Sequence, residues 1–357
     1  MKKLDWYIIK KFVGTFLYAI MIMAVIACVI DYSEKVEDFV QKKAPLWAII
    51  NYFKDFIPHI IALLFPLFLF IATIFFTSQI AYKSEIIAML ASGMSFQRFL
   101  RPCVIGGAFL CTISLISNHW IVPAANKERL AFEDRYVHNA VARSDNNVHL
   151  RLSKDLYVFV QNYDFTANSG YRFTAEKIDG TNLKEKVMAD RISYDSVKRS
   201  WHLYGVIIRT NDGLKEDLKF QPELVMQYPF VPMDLKEDND IKEALTTPEL
   251  NSYIAREKLR GRETLNFYYV EKHRRTAQPF AGFILTIIGA CIASRKVRGG
   301  SGFHLALGIL ISAGYIMLLQ FSTTFSTKAG LNPFVAVWIP NAIFAVVAFF
   351  LYRKEVK

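Results

Sequence analysis

Few residues in this 357-residue chain are of a type and spacing that could do chemistry, and the clearest set lies in KSEIIAMLASGMS, residues 83–95. A helix from Ser84 to Leu90, broken at Ala91-Ser92-Gly93 and restarted at Ser95, carries the Glu85 carboxylate beside Ile86, Ile87, Met89 and Leu90. Ser84 suits an N-cap, and Gly93 suits a helix end because it takes positive φ without a Cβ penalty. Such a surface fits a groove on another protein, with Glu85 paired to a basic residue there. The same pattern also fits an amphipathic helix lying on a bilayer. Two further charged groups stand out: Asp31 with Lys35, Lys42 and Lys43 after the first apolar run, and the pair Arg274-Arg275. For that pair, snorkelling to headgroups and contact with a substrate are both open readings.

Several chemistries are missing. No G-x-x-x-x-G-K-[ST] loop occurs, so the chain is not expected to hydrolyse ATP, and Gly299-Gly300-Ser301-Gly302 reads as a tight turn. Neither H-E-x-x-H nor G-x-S-x-G is present, and no nucleophile, metal set or carboxylate pair points to an enzyme. Cys28, Cys103, Cys111 and Cys291 all lie in apolar runs, which argues against a disulfide framework or a metal cluster. The apolar runs carry no Asp, Glu, Lys or Arg at mid-depth, where ion-coupled carriers place ionisable groups. Any transport must therefore draw its energy from a partner.

The elements that position these residues follow from hydropathy. With 53% apolar and 14% aromatic residues, the chain is a membrane protein. Six runs of about twenty residues are long enough to span a bilayer: Phe12 to Ile30, Ile57 to Ile80, Cys103 to Val122, Ala277 to Ala293, Phe303 to Phe325 and Phe334 to Tyr352. The first run continues into Asp31, Glu34, Glu37 and Asp38 without a cleavage pattern and reads as retained. Between Tyr32 and Phe56 the sequence is mixed, with Trp47, Tyr52 and Phe53 suited to an interface, and His59 is read as interfacial rather than as part of a proton relay.

From Pro123 to Thr276 the chain is polar. After a helix around Ala125 to Val141, period-2 stretches predict strands at Val148 to Leu152, Leu156 to Val160, Tyr171 to Lys177, Val187 to Tyr194, Trp201 to Arg209 and Leu218 to Phe220. A helical tail from Pro248 leads back to the membrane. The expected fold class is thus six transmembrane α-helices with an inserted all-β sandwich or roll. The expected domains are residues 1–122 (spans one to three, with the 84–95 segment), 123–276 and 277–357. The inserted part holds 25 basic and 24 acidic residues, so nearly all of the net charge of +11 sits on membrane flanks. By the positive-inside rule both termini and the Tyr82 and Arg295 loops are cytoplasmic, and the β-domain faces outward. Basic residues scattered over flanks disfavour a nucleic-acid partner.

Five segments together resemble the lipopolysaccharide export permeases, the LptF/LptG family: the basic entry helix Leu4 to Lys11, residues 83–95, NHWIVPAAN at 118–126, HRRTAQPFAG at 273–282 and LNPFVAVWIPNAIF at 331–344. The likeness is greatest to LptG. It implies a heterodimer with an LptF-like paralogue on two copies of an LptB-like cytoplasmic ATPase, which uses ATP and Mg while this chain binds no cofactor. It further implies that lipopolysaccharide is taken from the outer leaflet of the bacterial inner membrane and passed through a periplasmic β-jellyroll to an LptC-like bridge. Residues 84–95 then correspond to the coupling helix, with Ser84, Glu85, Ile86, Met89 and Gly93 in ATPase coupling and Glu85 at the acidic contact. Leu152, Tyr157, Phe159, Phe173 and Trp201 are candidates for lining the lipid path, although a closed core explains them equally well. Where the family carries a lysine at the outer end of the first span, this sequence has Asp31. Either Lys35 or the Lys42-Lys43 pair substitutes for it, or the substrate has fewer phosphates. The alternative function is an envelope scaffold or sensor that binds a partner without moving lipid.

Overall fold

The computed structural model describes residues 3–137, 145–164, 167–180, 182–196, 198–212, 215–235, 241–259, 265–295 and 300–356. It divides into two units. The first comprises Met1–Phe132, Lys242–Leu250 and Asn266–Lys357, and the second comprises Glu133–Ile241 and Asn251–Leu265.

In the first unit six helices are long and apolar enough to cross a membrane. They are α1 (Lys3–Gln41), α2 (Leu46–Tyr82), α4 (Phe96–Ile116) continued through a π turn (Ser117–Ile121) into α5 (Val122–Tyr136), α8 (Leu265–Ala293), α9 (Gly300–Ala329) and α10 (Pro333–Val356). The short α3 (Glu85–Ala91) joins α2 to α4, while α6 (Ile241–Ala244) and α7 (Thr247–Leu259) precede α8. The helices outrun their apolar stretches. At 39 residues α1 is about 58 Å long, roughly twice the hydrocarbon thickness. Its polar extension stays helical because i,i+4 partners support it, with Lys35 on Asp31 at 2.7 Å and Gln41 on Glu37 at 3.1 Å. Likewise the third span does not end at Pro123: a π turn, in which the Val122 amide donates to the Ser117 carbonyl, precedes the proline, and the helix runs on. Phe65, Leu69 and Phe70 of α2 pack against Gly282 and Gly289 of α8, where a Cβ would lie only 3.0 to 3.1 Å from them. These contacts put α2 in the core of the bundle.

The second unit holds one antiparallel sheet in sequence order: β1 (Asp145–Arg151), β2 (Leu156–Asp164), β3 (Ser169–Asp179), β4 (Asn182–Asp195), β5 (Ser200–Asp212) and β6 (Lys215–Met226). This inserted six-strand sheet fits the expected roll. Its buried face carries Val160, Phe173, Ala189, Leu203, Val206 and Trp201, whose indole Nε1 donates to the Phe230 carbonyl at 3.0 Å. The strands are longer than the sequence pattern predicts because a crease interrupts their alternation. Asn147, Gln161, Arg172, Asp190, Gly205 and Pro222 occupy one row across the sheet, and pairing lapses at that row between every two neighbours. Around it two successive residues leave the buried face together: Gln161-Asn162 lie between buried Val160 and Tyr163, and Tyr171-Arg172 between Gly170 and Phe173. The pairing keeps the same register on both sides of the row, so each strand contributes one residue to the crease; a register shift of the bulge kind lies elsewhere, between Lys177 and Ile178.

Gly205 holds φ +65°, and a Cβ there would lie 2.5 Å from the Asp190 carboxylate, which can swing away. Gly205→Ala is therefore expected to cost about 1–2 kcal/mol from the left-handed backbone alone. A lower melting temperature for the purified chain checks this.

Candidate functional site

At the end of the bundle that carries both termini, α3 forms a knuckle on the core. Ser84 precedes it with φ +61° and makes no side-chain cap, whereas Ser95 accepts the Arg98 amide at 3.3 Å and caps α4. The capping serine is thus Ser95, because the left-handed backbone at Ser84 turns its hydroxyl away from the first amides. Gly93 takes φ +87° after α3. Ile86 is buried with Ile8, Phe12, Phe96 and Phe99, and Met89 packs against the same cluster. Ile87 and Leu90 remain exposed at 51% and 40%. The four apolar residues therefore do not form one outward face: Ile86 and Met89 anchor the knuckle, leaving Ile87 and Leu90 outside. The half-buried Glu85 accepts a hydrogen bond from the Tyr7 hydroxyl at 3.3 Å, and Lys11 donates to that same hydroxyl at 3.0 Å. Alongside, Arg98 donates to the buried Asp5 carboxylate at 2.8 Å. The N-terminal helix thus holds both α3 and the start of α4.

At the opposite end of α1, Asp31, Lys35 and Tyr52 form a closed triad. The Lys35 ammonium donates to Asp31 at 2.7 Å and to the Tyr52 hydroxyl at 2.6 Å, while Tyr52 donates to the other Asp31 oxygen at 2.8 Å. Lys35 also sits over the Tyr52 and Phe56 rings at 5.1 and 5.9 Å. A lysine neutralised in this way is a poor stand-in for a free cation. Lys43 is exposed and takes φ +50° where α1 ends, with Lys42 half-buried beside it. Below the triad a wholly apolar groove of about 270 Å³ runs between α1 and α2, lined by Met21, Val25, Val29, Tyr32, Phe53 and Ile57 among others.

Arg274 and Arg275 lie in an ion cluster that the sequence only half announces. Arg275 is 3% exposed and donates to Glu271 at 3.0 Å, the Lys242 carbonyl at 2.7 Å and Thr247 at 3.4 Å. Such burial removes the snorkelling reading for Arg275. Arg274 reaches the other Glu271 oxygen at 2.7 Å and Glu243 at 3.8 Å. Arg129 and His59 each approach Glu243 at 3.9 Å, and Asn126 donates to its carbonyl. Burial and the neighbouring Glu271 push the Glu243 carboxyl above its ordinary range, against the pull of Arg274 and Arg129. The π turn presents His119 to Thr247 at 2.7 Å, which ties the 242–250 strap to the bundle a second time. Glu271 stands three and four residues before its arginines and could have been found by that spacing. Glu243, Arg129 and His59 could not, since their meeting is tertiary.

On the sheet the five lining candidates split. Phe173 and Trp201 are fully buried on one face and Leu152 packs against them. Tyr157 and Phe159 stand opposite Glu176 and Thr174 on the other face, under Arg151 and beside His149. They cannot line one path together, because residues of opposite parity point to opposite faces.

Among the described residues no group of His, Cys, Asp and Glu side chains could hold a metal ion. No individual curated protein matches the sequence significantly. The model of one family, described as lipopolysaccharide export system permease LptF/LptG, matches residues 6–354. That span takes in all six membrane helices and the inserted sheet, and on it the chain belongs to the LptF/LptG family of lipopolysaccharide export permeases.

Proposed function

We propose that this chain is the membrane subunit of an ABC-type exporter in the bacterial inner membrane, LptG-like and paired with an LptF-like paralogue. An LptB-like ATPase dimer, using ATP and Mg, drives it from the cytoplasm, where both termini lie. Lipopolysaccharide leaves the outer leaflet, meets the periplasmic sheet and passes to an LptC-like bridge. The observation that carries this reading is the α3 knuckle: buried Ile86 fixes it, and Ile87, Leu90 and Glu85 remain at its surface. That is the layout of a docking element rather than of a loop that only joins two helices. The apolar demand is real as well, since each acyl methylene kept from water is worth about 0.8 kcal/mol. The buried face around Phe173 is where acyl chains would be sheltered.

The test is co-purification. The detergent-extracted chain should bring down an ABC-type ATPase and a second six-span permease; a chain that purifies alone, with export from the cell intact, sinks the proposal. Because Asp31 holds Lys35, the triad also makes a prediction. Asp31→Asn keeps an acceptor for Tyr52 yet releases one positive charge, worth about 1 kcal/mol toward a lipid phosphate. Binding of lipopolysaccharide should tighten about fivefold, whereas weaker binding would mean that the aspartate itself serves the lipid, through a bridging divalent cation.

A further inference from the structure

The crease in the sheet also brings polar side chains together. Where β1, β2 and β3 cross the row, the outward residues Asn147, Gln161, Asn162, Tyr171 and Arg172 line an open pocket of about 380 Å³. Two of these residues, Asn147 and Arg172, hold positive φ of +61° and +51°, so side chains that regular strands would have separated converge here. The Asn162 Oδ1 atom is enclosed and accepts no hydrogen bond among the described residues. Tyr171 is 47% exposed and offers one flat ring face.

The chemistry of this set is specific. Three primary amides supply donors and acceptors side by side, Arg172 adds a planar fork of donors, and no carboxylate is among the lining residues. An acyl chain gains nothing from such walls, and a divalent cation finds no anionic ligand. Vicinal hydroxyls, which donate and accept at once, match paired amides, and the C–H face of a pyranose ring packs on a tyrosine.

We infer that the crease pocket on β1–β3 is a saccharide-binding site, distinct from the apolar face around Phe173 and Trp201. It rests on the proposed function only for the source of its ligand: the sugar is either the carbohydrate portion of the glycolipid in transit or a free oligosaccharide of the same chemistry.

The experiment uses the full chain in detergent and, as probe, the lipid-free oligosaccharide released from lipopolysaccharide. Binding is measured by calorimetry for the native chain and for a Gln161→Ala, Asn162→Leu double variant. The oligosaccharide should bind the native chain and bind the double variant about tenfold more weakly, the loss expected for one well-made polar contact. Should the double variant unfold, Tyr171→Ala gives the second reading, since its half-exposed ring carries little of the fold. Equal binding to native chain and variants, or none to the native chain, overturns the site. Competition separates the sources: displacement by intact lipopolysaccharide assigns the pocket to the cargo's headgroup, and displacement by free oligosaccharide alone assigns it to a soluble glycan. Intact lipopolysaccharide should still bind the double variant through its acyl chains. Loss of all lipopolysaccharide binding by the native chain would count against the export reading while leaving the saccharide result standing.

Discussion

Glu85→Arg is expected to abolish export and release the ATPase from the detergent-extracted complex. The carboxylate stands at the head of α3, next to exposed Ile87 and Leu90, and among the described residues it accepts from the Tyr7 hydroxyl at 3.3 Å. Reversing its sign removes an attraction to a basic residue on the partner and replaces it with repulsion. Truncating one member of such a pair costs about 2–5 kcal/mol, so affinity should fall roughly thirtyfold or more. Neighbouring positions separate docking from folding. Ile86→Ala should cost about 2–5 kcal/mol of stability, because its side chain is 2% exposed and fills the core. Ile87→Asp should leave the melting temperature alone and still weaken ATPase capture. Tyr7→Phe should change both by less, since its bonds to the Glu85 carboxylate and the Lys11 ammonium are solvent-exposed and together worth about 1 kcal/mol. A silent Glu85→Arg, measured by pull-down and by export in cells, would favour the scaffold reading.

Arg275→Leu should be the most damaging single change at the other end of the bundle. Its guanidinium is buried against Glu271, the Lys242 carbonyl and Thr247, and removing it takes one of two arginine partners from the Glu271 carboxylate, itself 6% exposed, among the described residues. Breaking a buried ion pair from one side costs about 3–5 kcal/mol. Arg274→Leu should cost less, since that side chain is 33% exposed. Glu243→Gln should behave in the opposite way. The Glu243 carboxyl is shifted up by burial first and by Glu271 second, so the folded state holds its proton more tightly than the unfolded chain does. Its contribution to stability is therefore present at acidic pH and is lost as pH rises through the raised value. At neutral pH the amide, which needs no proton, should be neutral or slightly stabilising. Thermal unfolding of both variants across a pH series checks the sign.

These residues show how far a sequence can be read. The six spans are legible because long uncharged runs have no other stable fate, and the strands because period-2 stretches are bounded by turns. Strand lengths are not, because the crease at Gln161, Arg172, Asp190 and Gly205 shifts the alternation by one residue on strand after strand, and the pattern read from one side stops there. Local pairs such as Asp31 with Lys35 and Glu271 with Arg274 follow from helical spacing. Contacts that join distant segments leave no such trace: Arg98 meets Asp5 across 93 positions, and Tyr52 meets Asp31 across 21. For the same reason the composition of α3 announces an apolar surface without telling that Ile86 faces in and Ile87 out.

The proposed function requires a sidedness: the knuckle at Glu85 would grip a motor in the cytoplasm, and the sheet would handle lipid in the periplasm. Single cysteines at Ile87 and Leu218, both exposed, can be tested with a membrane-impermeant thiol reagent once Cys28, the least buried native cysteine, is replaced. The account predicts that Leu218→Cys reacts in intact cells after the outer membrane is opened, and that Ile87→Cys reacts only in inverted vesicles and is shielded when the ATPase is bound. Labelling of both cysteines from the same side would contradict it.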